Sequence, residues 1–138
     1  MGVKMKRALI SDQSEKRLSI RPRVKLWFEL DGERAFCPGV YRILTEVEKT
    51  GSMKDAASAI GRSYRFVWGK IKHVEQAIGY PLVEARVGGS QIKRSVLTAM
   101  GRMLIREFEA MRERVFELID GELAPRLQHE IQRVRREG

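Results

Sequence analysis

Apolar residues recur at helical spacing in three successive stretches of the chain, and a glycine follows each stretch. The stretches are residues 38–50, 53–60 and 64–78. Glycine readily takes the left-handed conformation that ends a helix, so the pattern predicts three short helices. Ser52 and Ser63 precede the second and third stretches, where a side-chain oxygen can cap a helix start. Two helices joined by so tight a turn are typical of a helix-turn-helix.

Two pairs of alternating segments predict β-hairpins on either side of these helices. Residues 24–30 and 33–37 flank Asp31-Gly32, a strong two-residue hairpin turn. Residues 82–87 and 92–97 flank Gly88-Gly89-Ser90, which predicts a wing with a basic, flexible tip.

A long final helix is expected from the cap residue Thr98 to about Asp120. Its apolar positions step by four, three, four and three, which is the spacing of a coiled-coil seam. The predicted dimerisation residues are Leu104, Phe108, Met111, Val115 and Leu118. For Leu104 and Phe108, packing on their own domain is an equal alternative. Pro125 is expected to break or kink the chain before a short amphipathic helix.

The predicted fold is therefore mostly α with a small β part, a winged helix-turn-helix with an N-terminal β-hairpin and a long C-terminal dimerisation helix. We expect a basic flexible arm over residues 1–23, a winged DNA-binding domain over 24–97, and a dimerisation helix and tail over 98–138.

The charge distribution points to a polyanionic partner. The net charge is +9, and residues 1–25 and 62–102 each carry eight Lys or Arg against two Asp or Glu. Cations that neutralise phosphates release condensed counterions, so two such blocks favour nucleic acid. The alternative is a charge that merely keeps the surface soluble. Coincidence of the second block with the predicted helix-turn-helix argues against it.

Candidate DNA contacts follow from how a recognition helix docks, with its first turns at base edges and flanking groups on phosphates. They are Ser52, Lys54, Arg62, Ser63, Tyr64, Arg65, Trp68, Lys72, Arg86, Lys93 and Arg94. Arg65 is the best candidate for a base contact, because its guanidinium can bond to guanine through two donors. Trp68 either packs against the preceding helix, which we favour, or stacks on DNA, and Phe66 is expected in the core. Gly69 suits close approach to DNA or close helix packing.

The sequence does not favour a metal site, an enzyme or a membrane protein. We expect no metal and no cofactor, because one Cys and two His make a poor ligand set. No catalytic triad, carboxylate pair or phosphate loop can be assembled, so an enzyme is not expected. No apolar run has the roughly 20 residues of a membrane span. The start of the chain lacks a secretory signal, so a cytoplasmic location is expected.

Three separately spaced segments resemble the N-terminal DNA-binding domain of ModE-type molybdate-dependent regulators, which in turn resembles the LysR-type winged helix-turn-helix. The segments are Ala56 to Trp68, Leu82 to Gly89 and Val96 to Gly101. The resemblance covers about residues 24–120 and implies a homodimeric transcription factor. Family members sense molybdate with later β-rich domains, and nothing after Pro125 matches one. A molybdate site is not evident, and the effector is unknown.

The sequence thus predicts a sequence-specific regulator that binds double-stranded DNA as a homodimer. Two alternatives stay open: an architectural protein that binds DNA without sequence preference, and a winged-helix module that docks a protein partner.

Overall fold

The computed structural model describes residues 18–89 and 93–138, and it is mostly helical with two small antiparallel hairpins. It contains two compact units, Lys25–Arg112 and a second unit made of Glu113–Gly138 with residues 18–24. The strands are β1 (Phe28–Leu30), β2 (Glu33–Phe36), β3 (Val83–Val87) and β4 (Lys93–Leu97). The helices are α1 (Pro38–Thr50), α2 (Met53–Ile60), α3 (Tyr64–Ile78), α4 (Ala99–Leu118) and α5 (Ala124–Glu137).

The first hairpin forms at the predicted turn but is shorter than predicted. Asp31 and Gly32 have φ angles of 51° and 80°, the positive values that a tight hairpin turn requires. β1 begins only at Phe28, and the register shifts between Phe28 and Glu29. The prediction of a strand from residue 24 was wrong, because β2 ends at Phe36, before Pro38, and residues 24–27 have no partner strand.

One hydrophobic core lies under all three predicted helices of the unit 25–112. Its members come from every element of this unit except β1 and β3, with β4 contributing Leu97. The fully buried large side chains are Phe36, Val40, Ile43, Leu44, Val47, Val67, Ile71, Val74, Leu82 and Phe108. The helical periodicity therefore identified the inner face of α1 correctly, and that of α3 apart from Phe66.

An aromatic cluster joins the first hairpin to α1 and α4. The ring centroids of Phe28 and Phe36 lie 5.6 Å apart, and Phe108 packs edge-on against both. Tyr41 stacks beside Phe108 and its Oη donates a hydrogen bond of 2.5 Å to Glu109. Burial, followed by the bond to Glu109, raises the pKa of the Tyr41 phenol.

Thr98 and Gly101 attach the start of α4 to the base of the wing. The Thr98 Oγ1 donates to the Pro81 carbonyl at 2.7 Å, and it accepts from the Gly101 amide at 3.2 Å, as the predicted cap requires. A Cβ on Gly101 would lie 2.6 Å from the Leu82 carbonyl oxygen, so only glycine fits here without displacement.

In the second unit the chain stays helical through Pro125. A π-helical turn over Ile119–Leu123 follows α4, and Pro125 lies at the start of α5. Proline lacks an amide and crowds the carbonyl four residues earlier, and the extra residue in a π turn relieves that crowding. The chain therefore does not break at Pro125, and a kink there, the other alternative, stays a prediction.

The N-terminal arm falls mostly outside the described residues, since residues 1–17 are not among them. In the described part of the arm, the Ile20 amide donates to Gln128 Oε1 at 3.2 Å, and the Gln128 amide donates to the Leu18 carbonyl.

Candidate nucleic-acid interface

The helix-turn-helix forms with the predicted caps. The Ser52 Oγ accepts a hydrogen bond from the Asp55 amide, and the Ser63 Oγ accepts one from the Phe66 amide, each at 3.1 Å. Gly61 ends α2 at a φ of 71°, so the chain reverses within three residues. Both hydroxyls therefore serve first to start α2 and α3.

The buried face of α3 determines which of its residues point outward. Val67, Ile71 and Val74 are fully buried, and a turn of 3.6 residues places Arg65, Gly69 and Lys72 on the opposite side. All three are exposed. Arg65 has no carboxylate within 4.0 Å in the described parts of the chain, so its guanidinium is available to a partner.

Tyr64 and Trp68 form an exposed aromatic pair on the flank of α3 that faces the wing. Their ring centroids are 6.4 Å apart and nearly parallel, and the Lys72 Nζ lies 4.5 Å from the Trp68 ring centroid. Trp68 is 38% exposed and lines the same groove as Met53 of α2, so both packing against α2 and stacking on DNA stay predictions. Stacked rings carrying a cation form a surface suited to sugars and bases.

Phe66 also lies outside the core, on the other flank of α3. It is 41% exposed, and cations from Arg62 and Lys70 lie 4.9 Å and 5.5 Å from its ring centroid. The expectation of a core residue was wrong, because Phe66 lies about 100° around the helix from the buried Val67 and therefore on a flank.

Gly69 has open space around it. A Cβ built at Gly69 meets no heavy atom within 4 Å. Close helix packing therefore does not explain this glycine, and close approach to DNA, the other alternative, stays a prediction.

Sequence reasoning missed Glu75, a buried carboxylate of α3 that contacts both Lys72 and the chain before β3. Its buried Oε2 accepts from the Leu82 amide at 2.7 Å, and its Oε1 lies 3.2 Å from the Lys72 Nζ. It thus links α3 to the chain entering β3. A carboxylate in the apolar row of Val67 and Ile71 was the signal that could have revealed it.

The wing carries the remaining predicted contacts. In the β3–β4 pair Arg86 lies opposite Arg94, and Val87 lies opposite Lys93. Arg86 is paired with Glu84 at 3.2 Å, whereas Lys93 and Arg94 have no carboxylate within 4.0 Å among the described residues. Residues 90–92 of the predicted flexible tip lie outside the described residues.

A groove of about 280 Å³ separates the wing from α3. The Tyr64 and Trp68 rings line one wall, and Lys93 and Arg94 line the other. The helix and the wing thereby form one surface. Lys54 is exposed on α2 and Ser52 is half-buried at its start.

The predicted dimerisation residues divide into two groups. Phe108 is fully buried in its own core and Leu104 packs against that core, so the own-domain alternative holds for both. Met111 and Leu118 are each 47% exposed, and Val115 is half-buried. Leu104 is half-buried like Val115, so among the five seam residues Met111 and Leu118 offer a second chain the most exposed surface.

The described residues also bear on whether the chain holds a metal ion or crosses a membrane. Across residues 18–89 and 93–138, no group of three or more His, Cys, Asp or Glu could hold a metal ion. His73 lies 3.3 Å from the Arg34 carbonyl oxygen through its Nε2. No helix among those described is long and apolar enough to cross a membrane.

Residues 40–102 match the family of bacterial regulatory helix-turn-helix proteins of the lysR type. A curated relative, the molybdenum-pterin-binding protein MopB of Rhodobacter capsulatus, is 31% identical over 77 residues, which are 56% of this chain and 28% of MopB. The chain thus spans little more than a quarter of that relative.

Two solved structures are also similar. A LysR family transcriptional regulator is 20% identical, with a TM-score of 0.46 over 57% of this chain and 25% of its own. ArgP from Mycobacterium tuberculosis is 28% identical, with a TM-score of 0.41 over 62% of this chain and 31% of its own.

The caps, the outward basic face of α3 and the wing agree with the family match over residues 40–102. Residues 40–102 thus have the arrangement of a winged helix-turn-helix and are similar to the lysR-type regulatory helix-turn-helix proteins.

Proposed function

We propose that the chain is a sequence-specific transcription regulator that binds double-stranded DNA as a homodimer in the cytoplasm. The observation that carries the proposal is the outer face of α3, where Arg65, Gly69 and Lys72 are exposed and, among the described residues, the only carboxylate partner is the buried Glu75, which pairs with Lys72. An exposed basic helix face ahead of a wing matches the way such domains enter a major groove.

In this proposal Arg65 reads a base. It lies in the first turn of α3, which is the part of a recognition helix that reaches base edges. Its planar fork can donate two hydrogen bonds to the O6 and N7 of guanine. Tyr64 and Trp68 would border the same groove and contact sugars or thymine methyl groups.

Flanking groups would position the domain on phosphates. Lys93 and Arg94 on the wing, together with Arg62, Lys54 and the caps Ser52 and Ser63, are the proposed contacts. Phosphate contacts set register and orientation without carrying sequence information. Arg86 is expected to contribute less, because Glu84 lies 3.2 Å from its guanidinium.

A homodimer would place two α3 helices on one face of the duplex. The exposed part of the α4 seam, with Met111, Val115 and Leu118, is the proposed contact between chains. Half-sites would then be about one helical turn apart, roughly 34–36 Å, or a multiple of that distance.

Selection of bound sequences from a random DNA pool tests the proposal. A palindromic motif with one fixed spacing is the expected result. Enrichment without a motif, and loss of binding to ordinary competitor DNA, would instead support an architectural protein, because a specific regulator prefers its site by about a thousandfold or more. Absence of any DNA binding would refute both and favour a protein-docking module.

A further inference from the structure

A second cleft lies on the flank of α3 that faces away from the wing. Phe66 and Lys70 on α3 are about 200° around the helix from Tyr64 and Trp68, which face the wing groove. The cleft has a volume of about 320 Å³ and lies between α3, the start of α1 and the first hairpin. Five of its eleven lining residues are basic and none is acidic: Lys25, Arg34, Arg42, Arg62 and Lys70.

The positive charge of this cleft is not neutralised within the described residues. All five side chains are exposed, and none has a carboxylate within 4.0 Å. Elsewhere Lys72, Arg86 and Arg133 each have a carboxylate partner at 3.2 Å or less. Like charges converging without a partner repel one another, so the cleft is suited to an external anion.

Packed elements hold these cations in place. The Arg34 carbonyl oxygen lies 3.3 Å from His73 Nε2, which ties the hairpin to α3, and the Arg34 guanidinium lies 4.9 Å from the Trp27 ring centroid. The Phe28 and Phe36 rings anchor the same hairpin on Phe108. The hairpin therefore presents its charge at a defined position beside α3.

The cleft is continuous with the outer face of α3. Phe66 and Lys70 line both the cleft and a shallow groove shared with Arg65, Gly69 and His73. The surface thus continues from the outer face of α3 to the first hairpin.

We propose that the first hairpin and the start of α1 act as a second clamp on the DNA backbone. This inference depends on the proposed function. A major groove about 12 Å wide has a phosphate strand on each side, so a helix inside it faces phosphates on both flanks. The wing meets one strand, and the cleft of Arg34, Arg42 and Lys25 meets the phosphates of the other.

The salt dependence of DNA binding tests the clamp. Arg34→Ala and Arg42→Ala each remove one proposed phosphate contact without altering α3 or the wing. Each variant should lower the slope of log binding constant against log salt by about one, and the double variant by about two. Phosphate ethylation of the bound duplex should interfere on the hairpin-side strand for the wild type and lose that interference in the double variant.

Three controls make the result specific. Arg106→Ala removes an exposed cation from α4, outside the cleft, and should leave the slope unchanged. Arg42→Lys keeps the charge and should keep the slope. Circular dichroism and thermal unfolding of each variant separate a lost contact from a lost fold.

The other possible outcomes either overturn the clamp or refute the proposed function. An unchanged slope in the double variant overturns the clamp, even while Arg65→Ala still impairs binding and so upholds the proposed function. An unchanged slope combined with calorimetric binding of inorganic phosphate to the wild type, but not to the double variant, assigns the cleft to a small anion instead. Failure of the wild type to bind any duplex refutes the proposed function itself.

Discussion

Arg65 and Gly69 lie at the centre of the surface that we propose enters the major groove, and they present different groups to DNA. Arg65 presents an exposed guanidinium with no carboxylate nearby in the described chain. Gly69 presents bare backbone with nothing within 4 Å of its missing Cβ. One side chain would provide discrimination between bases, and one absent side chain would allow the helix to approach closely.

Arg65→Ala is expected to cost about 1–3 kcal/mol of binding free energy at the selected site and to relax specificity at one base pair. The reason is the loss of two parallel hydrogen bonds to one guanine. Binding titrations on the selected site and on single-base variants measure both effects. Equal weakening of binding to selected and random DNA would contradict a base contact. Arg106→Ala also removes one positive charge and is the control variant.

Gly69→Ala is expected to change stability and binding in opposite directions. The free energy of unfolding should rise by about 0.5–1 kcal/mol, because alanine loses less backbone entropy in a helix interior. Affinity for DNA should fall, since the new methyl group projects from the face that approaches the duplex. Urea unfolding and DNA titration of the same preparation provide both numbers, and unchanged affinity would argue against close approach at this position.

At the scale of elements, Leu82 at the base of the wing contacts both α3 and α4. Its amide donates to the Glu75 carboxylate on α3 at 2.7 Å. Its carbonyl accepts from the Thr98 amide at 2.9 Å and lies beside Gly101 at the start of α4. The wing is thus attached at its base to both α3 and α4.

Gly101→Ala should loosen this attachment. The added methyl would lie 2.6 Å from a backbone oxygen, which cannot move without displacing β3. Overpacking of this kind typically costs about 1–3 kcal/mol of unfolding free energy. Thermal and urea unfolding measure the loss. Ala99→Ser, at an exposed position two residues earlier, is the control and should change stability little.

Arg94→Ala tests the wing as an electrostatic element. Because Arg94 has no carboxylate partner in the described chain, its removal should weaken binding to all sequences and lower the salt slope by about one. Arg86→Ala is the comparison on the facing strand and should have a smaller effect, since Glu84 already partners Arg86. Titrations at four or five salt concentrations measure both slopes. A slope unchanged by Arg94→Ala would exclude a phosphate contact there.

At the scale of the whole molecule, the homodimer depends on the exposed residues of the α4 seam. Leu118→Glu is expected to weaken self-association by at least about tenfold, because burying an unpaired carboxylate opposes the contact. Ala110→Glu adds the same charge to an exposed position on another face of α4, and it should leave association unchanged. Sedimentation velocity across a range of concentrations measures the dimer constant. A monomeric wild type, or a dimer that tolerates Leu118→Glu, would contradict the assignment.

Local features of this chain could be predicted from the sequence alone. The caps at Ser52, Ser63 and Thr98, the helix ends at Gly51, Gly61 and Gly79, and the turn at Asp31-Gly32 all formed where the residues predicted. Each depends on the backbone preference of one residue or on a hydrogen bond to an amide three residues away. Such preferences are set within a few residues, so the sequence determined the order and bounds of most elements.

Features that need a distant partner were decided only by the tertiary structure. Phe66 and Val67 are neighbours of similar apolar character, yet only Val67 reaches the core, and Phe66 instead lies between Arg62 and Lys70. Contacts with distant residues also decided that Phe108 of the seam is buried and that Glu75 binds the chain before β3. They likewise formed the cleft that brings Lys25 and Arg34 beside Lys70. Periodicity shows which side of a helix is apolar, but the packing of hairpin, α1 and α3 determined what each flank meets, because those contacts join residues far apart in sequence.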